Sequence, residues 1–180
     1  MLTSFALSEF SGCTASTNQG KYSCNKAYDG ITYVKDNGWG VHSGNSAVWA
    51  IFELAEEASM NNIVLVSGQR RPDSRLLSFK VTIKANDQWI IPLGLSIRED
   101  ANAQIESDNT ITLTSVIQVL HLDFNFISNV QSIRLDVRKT DFEFYEEGIF
   151  RYRNVEINEI IPRFLKSKSS IYVMSDQDGL

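Results

Sequence analysis

The sequence predicts an all-β domain, an antiparallel β-sandwich with few or no helices, and three alternating segments carry that expectation. Leu77, Phe79, Val81 and Ile83 alternate with Ser78, Lys80, Thr82 and Lys84. Ile133, Leu135 and Val137 alternate with Arg134, Asp136 and Arg138; Leu120, Leu122, Phe124 and Phe126 alternate with His121, Asp123 and Asn125. Successive side chains of a strand point to opposite faces, so a period of two marks strands that bury one face and wet the other. Phe79, Val81, Ile133, Leu135 and Val137 are therefore expected to share a core between two sheets.

The other elements follow in order. Residues 25–28 suggest one short helical turn. Asp29-Gly30 is a turn dipeptide, because glycine tolerates positive φ and aspartate bonds its own downstream backbone. Gly38-Trp39 adds a second turn, and residues 48–54 read as the first core strand, flanked by polar, Gly-rich sequence. Ile63 to Val66 is apolar on both faces and reads as a central strand. A second helix is expected between Asp100 and Glu106. Pro162 is expected to stop the last strand, because proline has no N–H for a ladder. The reading is one domain over 1–162, then a linker and tail over 163–180. Within that tail Ile171, Tyr172, Val173 and Met174 are apolar or β-prone, and are expected to lie against a sheet edge or an oligomer contact.

A chain of 180 residues with 43% hydrophobic and 22% charged residues has globular composition and length enough to bury a core. No stretch reaches the roughly 18 consecutive apolar residues of a membrane span. A formal charge of −5 argues against nonspecific nucleic-acid binding, which needs a basic face. The N-terminus, Met1-Leu2-Thr3-Ser4-Phe5, lacks the basic and apolar regions of a signal peptide. That predicts an intracellular or viral protein, or one whose leader has been removed.

Five segments occur in the order of a known family. Ala27-Tyr28-Asp29-Gly30 leads through Trp39 to Trp49-Ala50-Ile51-Phe52-Glu53-Leu54; Asn62 to Val66 and Leu77 to Ile83 follow; then come Val130 to Val137 and Asn154-Val155-Glu156-Ile157. This order resembles the coagulation-factor type C or discoidin domains, among the galactose-binding-like jelly-roll sandwiches, from about Ala27 to Ile161. Trp89 stands where that family often carries the Trp of a hairpin. The resemblance implies one structural calcium near the Asp29 turn. Carried over by position, its ligands are Asp29, Thr32 and Glu156 with carbonyls of Lys26, Ala27 or Ile31, and oxygen donors suit that ion. The alternative is that Asp29 merely caps its turn while Glu156 meets Arg151 or Arg153. Discoidin disulfides usually join the two ends of the domain, and no C-terminal cysteine exists here. Cys13 and Cys24 are therefore expected as free thiols, although a local bridge between them is geometrically possible.

Ligand-binding residues are expected in long loops, which a rigid sandwich presents from its edges. Residues 32–47 carry His42 and Asn45, residues 68–75 carry Arg70, Arg71, Asp73 and Arg75, and residues 139–148 carry Tyr145. Aromatic faces stack on sugar rings, and planar polar side chains fix the hydroxyls. The competing readings are that Trp39 packs in the core, that the arginines pair with Asp73 and the acidic third loop, and that His42 is an idle surface residue.

Catalysis finds little footing. His42 and His121 stand in no nucleophile motif, and the acidic run Asp141, Glu143, Glu146 and Glu147 reads as a solvated hairpin tip. The sequence points to a non-catalytic module binding carbohydrate on a glycan or cell surface. The alternative is a protein–protein module in a larger assembly, such as a virion, fibre or ciliary complex. Phospholipid binding through Arg75 and Leu76-Leu77 is disfavoured by the acidic charge.

Overall fold

The computed structural model describes residues 3–6, 10–18, 22–30, 38–41, 47–67, 78–98, 103–113, 119–138, 143–146, 149–152 and 155–166. Its strands are β1 (Thr3–Ala6), β2 (Phe10–Ala15), β3 (Trp39–Val41), β4 (Ala47–Ser67), β5 (Ser78–Ala85), β6 (Gln88–Ile90), β7 (Ser96–Ile97), β8 (Ala103–Ile105), β9 (Ile111–Leu113), β10 (Val119–Arg138), β11 (Glu143–Glu146), β12 (Ile149–Tyr152) and β13 (Val155–Lys166). One 3-10 turn, Cys24–Ala27, stands at the expected short helical turn. Every ladder among the described residues is antiparallel.

The two long strands make the sandwich. Residues 47–53 of β4 pair with 132–138 of β10, and residues 62–66 pair with 119–123. Between these stretches Val130 stands opposite Ala58 and Ser132 opposite Glu53, so four residues of β4 face one of β10. Extra residues in a ladder bend the strand, and the bend turns the sheet over on itself. One layer then holds β2, the first half of β4, the second half of β10, β5, β6, β9 and β8. The other holds β1, β3, β13, the second half of β4, the first half of β10 and β7.

Apolar side chains from both layers meet between them. Phe52, Phe79, Ile83, Ile133 and Leu135 come from the first layer; Ile63, Leu65, Leu122 and Ile157 come from the second, and all are buried. Phe79, Val81, Ile133, Leu135 and Val137 lie in one core, as their alternation implies. Residues 63–66 are buried throughout, in keeping with a strand flanked by β13 and β10. The β5–β6 hairpin turns through Asn86 and Asp87, both at positive φ (49° and 61°), the backbone of a two-residue hairpin loop. Trp89 follows on β6, half-exposed.

Several expectations are corrected. Cys13 and Cys24 form a disulfide, not two free thiols. The 3-10 turn folds back beside β2 and brings their Cα atoms to 6.1 Å, within bridging range. Residues 103–105 are strand β8, because pairing with β9 overrides any local helical tendency. Residues 143–146 of the expected third loop form β11, paired with β12. The last strand runs through Pro162 to Lys166. Pro162 pairs with Ile63 on one side; on the other, among the described residues, it falls in the gap between Trp39 of β3, which stands opposite Ile157, and Ala6 of β1, which stands opposite Arg163. A missing N–H breaks no ladder bond on such an open side. Phe126 is 59% exposed, although Leu120, Leu122 and Phe124 are buried, because the register slips between Asp123 and Ile127. Residues 167–180, including the expected contact at 171–174, lie outside the described residues.

Candidate functional site

The strand ends define where the three long loops leave the sandwich. Arg138 stands opposite Ala47, and Val137 opposite Phe79, so β4 starts, β5 starts and β10 ends side by side in one layer. In the other layer Val41 stands opposite Val155, and Ser67 opposite Ile157. Because β4 turns over at its middle, both its ends lie at the end of the sandwich away from the bend. His42, Asn45, Arg70, Arg71, Asp73, Arg75 and Thr32 themselves lie outside the described residues, and of Tyr145 and Glu156 only the backbone is described. Tyr145 is on β11 opposite Phe150, and Glu156 on β13 opposite Gly40.

Trp39 is fully buried, and its indole N–H donates to the Thr17 carbonyl at 3.1 Å. It is a core anchor and not a stacking platform. Gly38 sets the close approach beside it: at φ 144° a Cβ would lie 2.8 Å from the Ile157 carbonyl oxygen. Side chains on the outer face of the first layer make a group that sequence reasoning missed. The Arg134 guanidinium lies 5.0 Å from the Trp49 ring centroid and donates to both oxygens of Asp136, at 2.8 and 2.6 Å. Those hydrogen bonds raise the arginine above its ordinary pKa. The signal was present, since Arg134 and Asp136 are two apart and share a face.

A second group forms where the 3-10 turn meets β13. Asp29 and Gly30 follow that turn, and Glu159 of β13 reaches them. Glu159 is 6% exposed, and its Oε2 has no hydrogen-bond partner among the described residues. Burial first, then the negative charge of Asp29, raises its pKa to about 7, while a hydrogen bond from the Gly30 N–H opposes the shift. The Lys26 ammonium stands 3.6 Å from Asp29 Oδ2. Two carboxylates, one of them buried, beside a turn with peptide carbonyls are oxygen donors of the kind a hard divalent cation takes. Among the described residues no three His, Cys, Asp or Glu side chains come together, so carbonyls and residues such as Thr32 would have to complete the shell. The sequence reading names Glu156 and not Glu159, since the last strand offers both. The choice depends on the bulge at Asn158, between Ile157 opposite Ser67 and Glu159 opposite Val66.

Solved structures of the same architecture cover nearly the whole chain. A pectin-binding carbohydrate-binding module superposes with a TM-score of 0.58 at 19% identity, over 91% of this chain and 95% of its own. Chitosan-binding module 1 of a Paenibacillus sp. IK-5 chitosanase/glucanase gives 0.58 at 13% identity, over 91% and 99%. An F5/8 type C domain of a Bacteroides fragilis protein gives 0.61 at 12% identity, over 87% and 92%. This is the galactose-binding-like discoidin fold. No family model matches the sequence, and no curated protein does. The architecture bears out the discoidin resemblance that the order of the sequence segments carries.

Proposed function

We propose that this discoidin-fold domain is a non-catalytic carbohydrate-binding module whose ligand is held by the loops at the end away from the bend. The observation that carries this reading is the gathering of three loop-bearing strand ends at that end. Neighbours whose names record pectin and chitosan binding support the ligand class. His42, Asn45, Arg70, Arg71, Asp73, Arg75 and Tyr145 supply the parts: an aromatic ring for a sugar face, and planar donors and acceptors for its hydroxyls. The loop over 68–75 holds three arginines against one aspartate. Guanidinium groups bind carboxylates through two parallel hydrogen bonds, so a glycan bearing uronate groups gains most from this loop. A glycan array spanning neutral, amino and uronic-acid polysaccharides tests the class, followed by titration calorimetry on Arg71→Ala and Tyr145→Ala. Binding lost about tenfold or more in each variant, with the melting temperature kept, is the expected outcome. A silent array, or hits that neither variant weakens, overturns the reading.

The Asp29–Glu159 group is proposed to hold one structural calcium ion, whose charge would neutralise two carboxylates and pin the turn to β13. Chelator is expected to lower the melting temperature and excess calcium to restore it by mass action. An identical melting curve in both removes the ion.

A further inference from the structure

At the bend, away from the proposed sugar loops, Ile90, Ile91 and Leu93 after β6 face Phe126 of β10 across a cleft of about 500 Å³. Four of the six large apolar side chains exposed among the described residues line it, at 36%, 47%, 74% and 59% exposure in that order. Among the described residues no charged side chain lines it; Asn86, Gln88, Asn125 and Ser128 form its polar part. The walls are held by the protein: the Asn125 N–H donates to the Leu93 carbonyl at 2.8 Å, and the Asn129 amide donates to Asn86 Oδ1 at 2.9 Å. Among the described residues β6 pairs on one side only, with β5, so its other edge is open. An apolar surface this concentrated marks a contact site.

We infer that the occupant is the chain's own segment Ile171-Tyr172-Val173-Met174. The register brings its origin to the cleft. Arg163 and Asp123 both stand opposite Asn62, one on each side of β4, and so share a row across the sheet. Three residues farther toward the bend, β13 ends at Lys166 and β10 reaches Phe126. In the row of Asn62, two strand spacings separate β13 from β10, about 10 Å. Residues 167–174 span roughly 27 Å when extended, so they reach the cleft with length to spare. The chemistry matches as well. Residues 169–175 form an uncharged run between Lys168 and Asp176, with the four apolar or aromatic residues at its centre. The cleft takes those side chains while the flanking charges stay in water. The Tyr172 hydroxyl finds amide partners at the rim, and the backbone can add to the open edge of β6.

The test is proximity cross-linking in the full chain, which has no free cysteine among its described residues. Leu93→Cys with Val173→Cys is treated with a short bismaleimide and compared with Gln104→Cys plus Val173→Cys; Gln104 is exposed on β8. Cross-linking within one chain at least tenfold faster for the first pair is expected. Equal rates overturn the inference, and so does a product linking two chains only, which would assign the cleft to a second copy. Phe126→Asp provides an independent reading: at a residue already 59% exposed it leaves the fold intact, and it should speed trypsin cleavage after Lys168 at least fivefold. An unchanged cleavage rate in a folded Phe126→Asp protein also overturns it.

Discussion

Asp108 and Glu159 place the same functional group in two regions that treat it in opposite ways. Asp108 is exposed on the turn before β9. Its carboxylate lies 2.8 Å from the Lys80 ammonium, and that hydrogen bond first, then bonds from Thr110, hold it well below the usual carboxylate range. Glu159 is buried between β13 and the Asp29 turn, and is pushed up to about 7. Water and a lysine already satisfy the first charge. The second has one backbone N–H, from Gly30, and another carboxylate beside it, so a proton or a cation would stabilise it. A perturbed carboxylate beside a like charge is a pointer to a binding site, whereas the same residue type on a surface pair is not.

The scaffold that separates the two regions is the largest effect to test. On β5 Phe79 points into the core and Lys80, its neighbour, points to Asp108. Phe79→Ala is expected to lose about 3–5 kcal/mol in denaturant unfolding. A loss under about 1 kcal/mol would show that the inward register of β5 is misassigned.

The next effect concerns the turn that carries Asp29. Replacing Cys13 and Cys24 together by alanine opens a loop with a sequence separation of 11. It should cost about 3 kcal/mol, since the bridge restrains the unfolded chain. Loosening the turn also moves Asp29, so the pH dependence of stability should weaken in the same variant. A variant that melts with the parent shows that the bridge restrains nothing.

Glu159 itself should govern that pH dependence. Its folded pKa, about 7, lies above the ordinary carboxylate value, so the folded state binds the proton more tightly than the unfolded state. Without divalent cation, stability is therefore full below about pH 4.5 and is lost as pH rises through 7, on the order of 3 kcal/mol in all. Glu159→Gln should flatten the profile and raise stability at pH 8 in chelator, yet lose the gain that calcium confers on the parent. A Gln variant with the parent's profile would end the contrast with Asp108.

The surface pair gives the smallest effect. Lys80→Ala should shift the melting temperature by no more than about 2 °C at neutral pH, because exposed pairs contribute little and are screened by salt. Asp108 has the opposite sign from Glu159: its lowered pKa favours the folded state above the ordinary carboxylate value, and that benefit fades as pH falls. A large loss in Lys80→Ala would mean that this pair belongs to a wider charge network.

The sequence by itself determined which side chains enter the core wherever the strands are regular. Phe79, Val81, Ile133, Leu135 and Val137 follow from a period of two, and Ile63 to Val66 from apolarity on both faces. The Asp29-Gly30 turn was equally legible, because turn chemistry is local. What only the tertiary structure decided lies at breaks in that period or across distant segments. Phe126 turns outward and Glu159 stands by Asp29 because bulges reset the alternation, and nothing local to either residue announces a bulge. The Cys13–Cys24 bridge and the strand through Pro162 depend on which neighbours the fold supplies on each side. Periodicity is a property of one strand, whereas register, bulges and partners are properties of a pair, and only the folded sheet contains the pair.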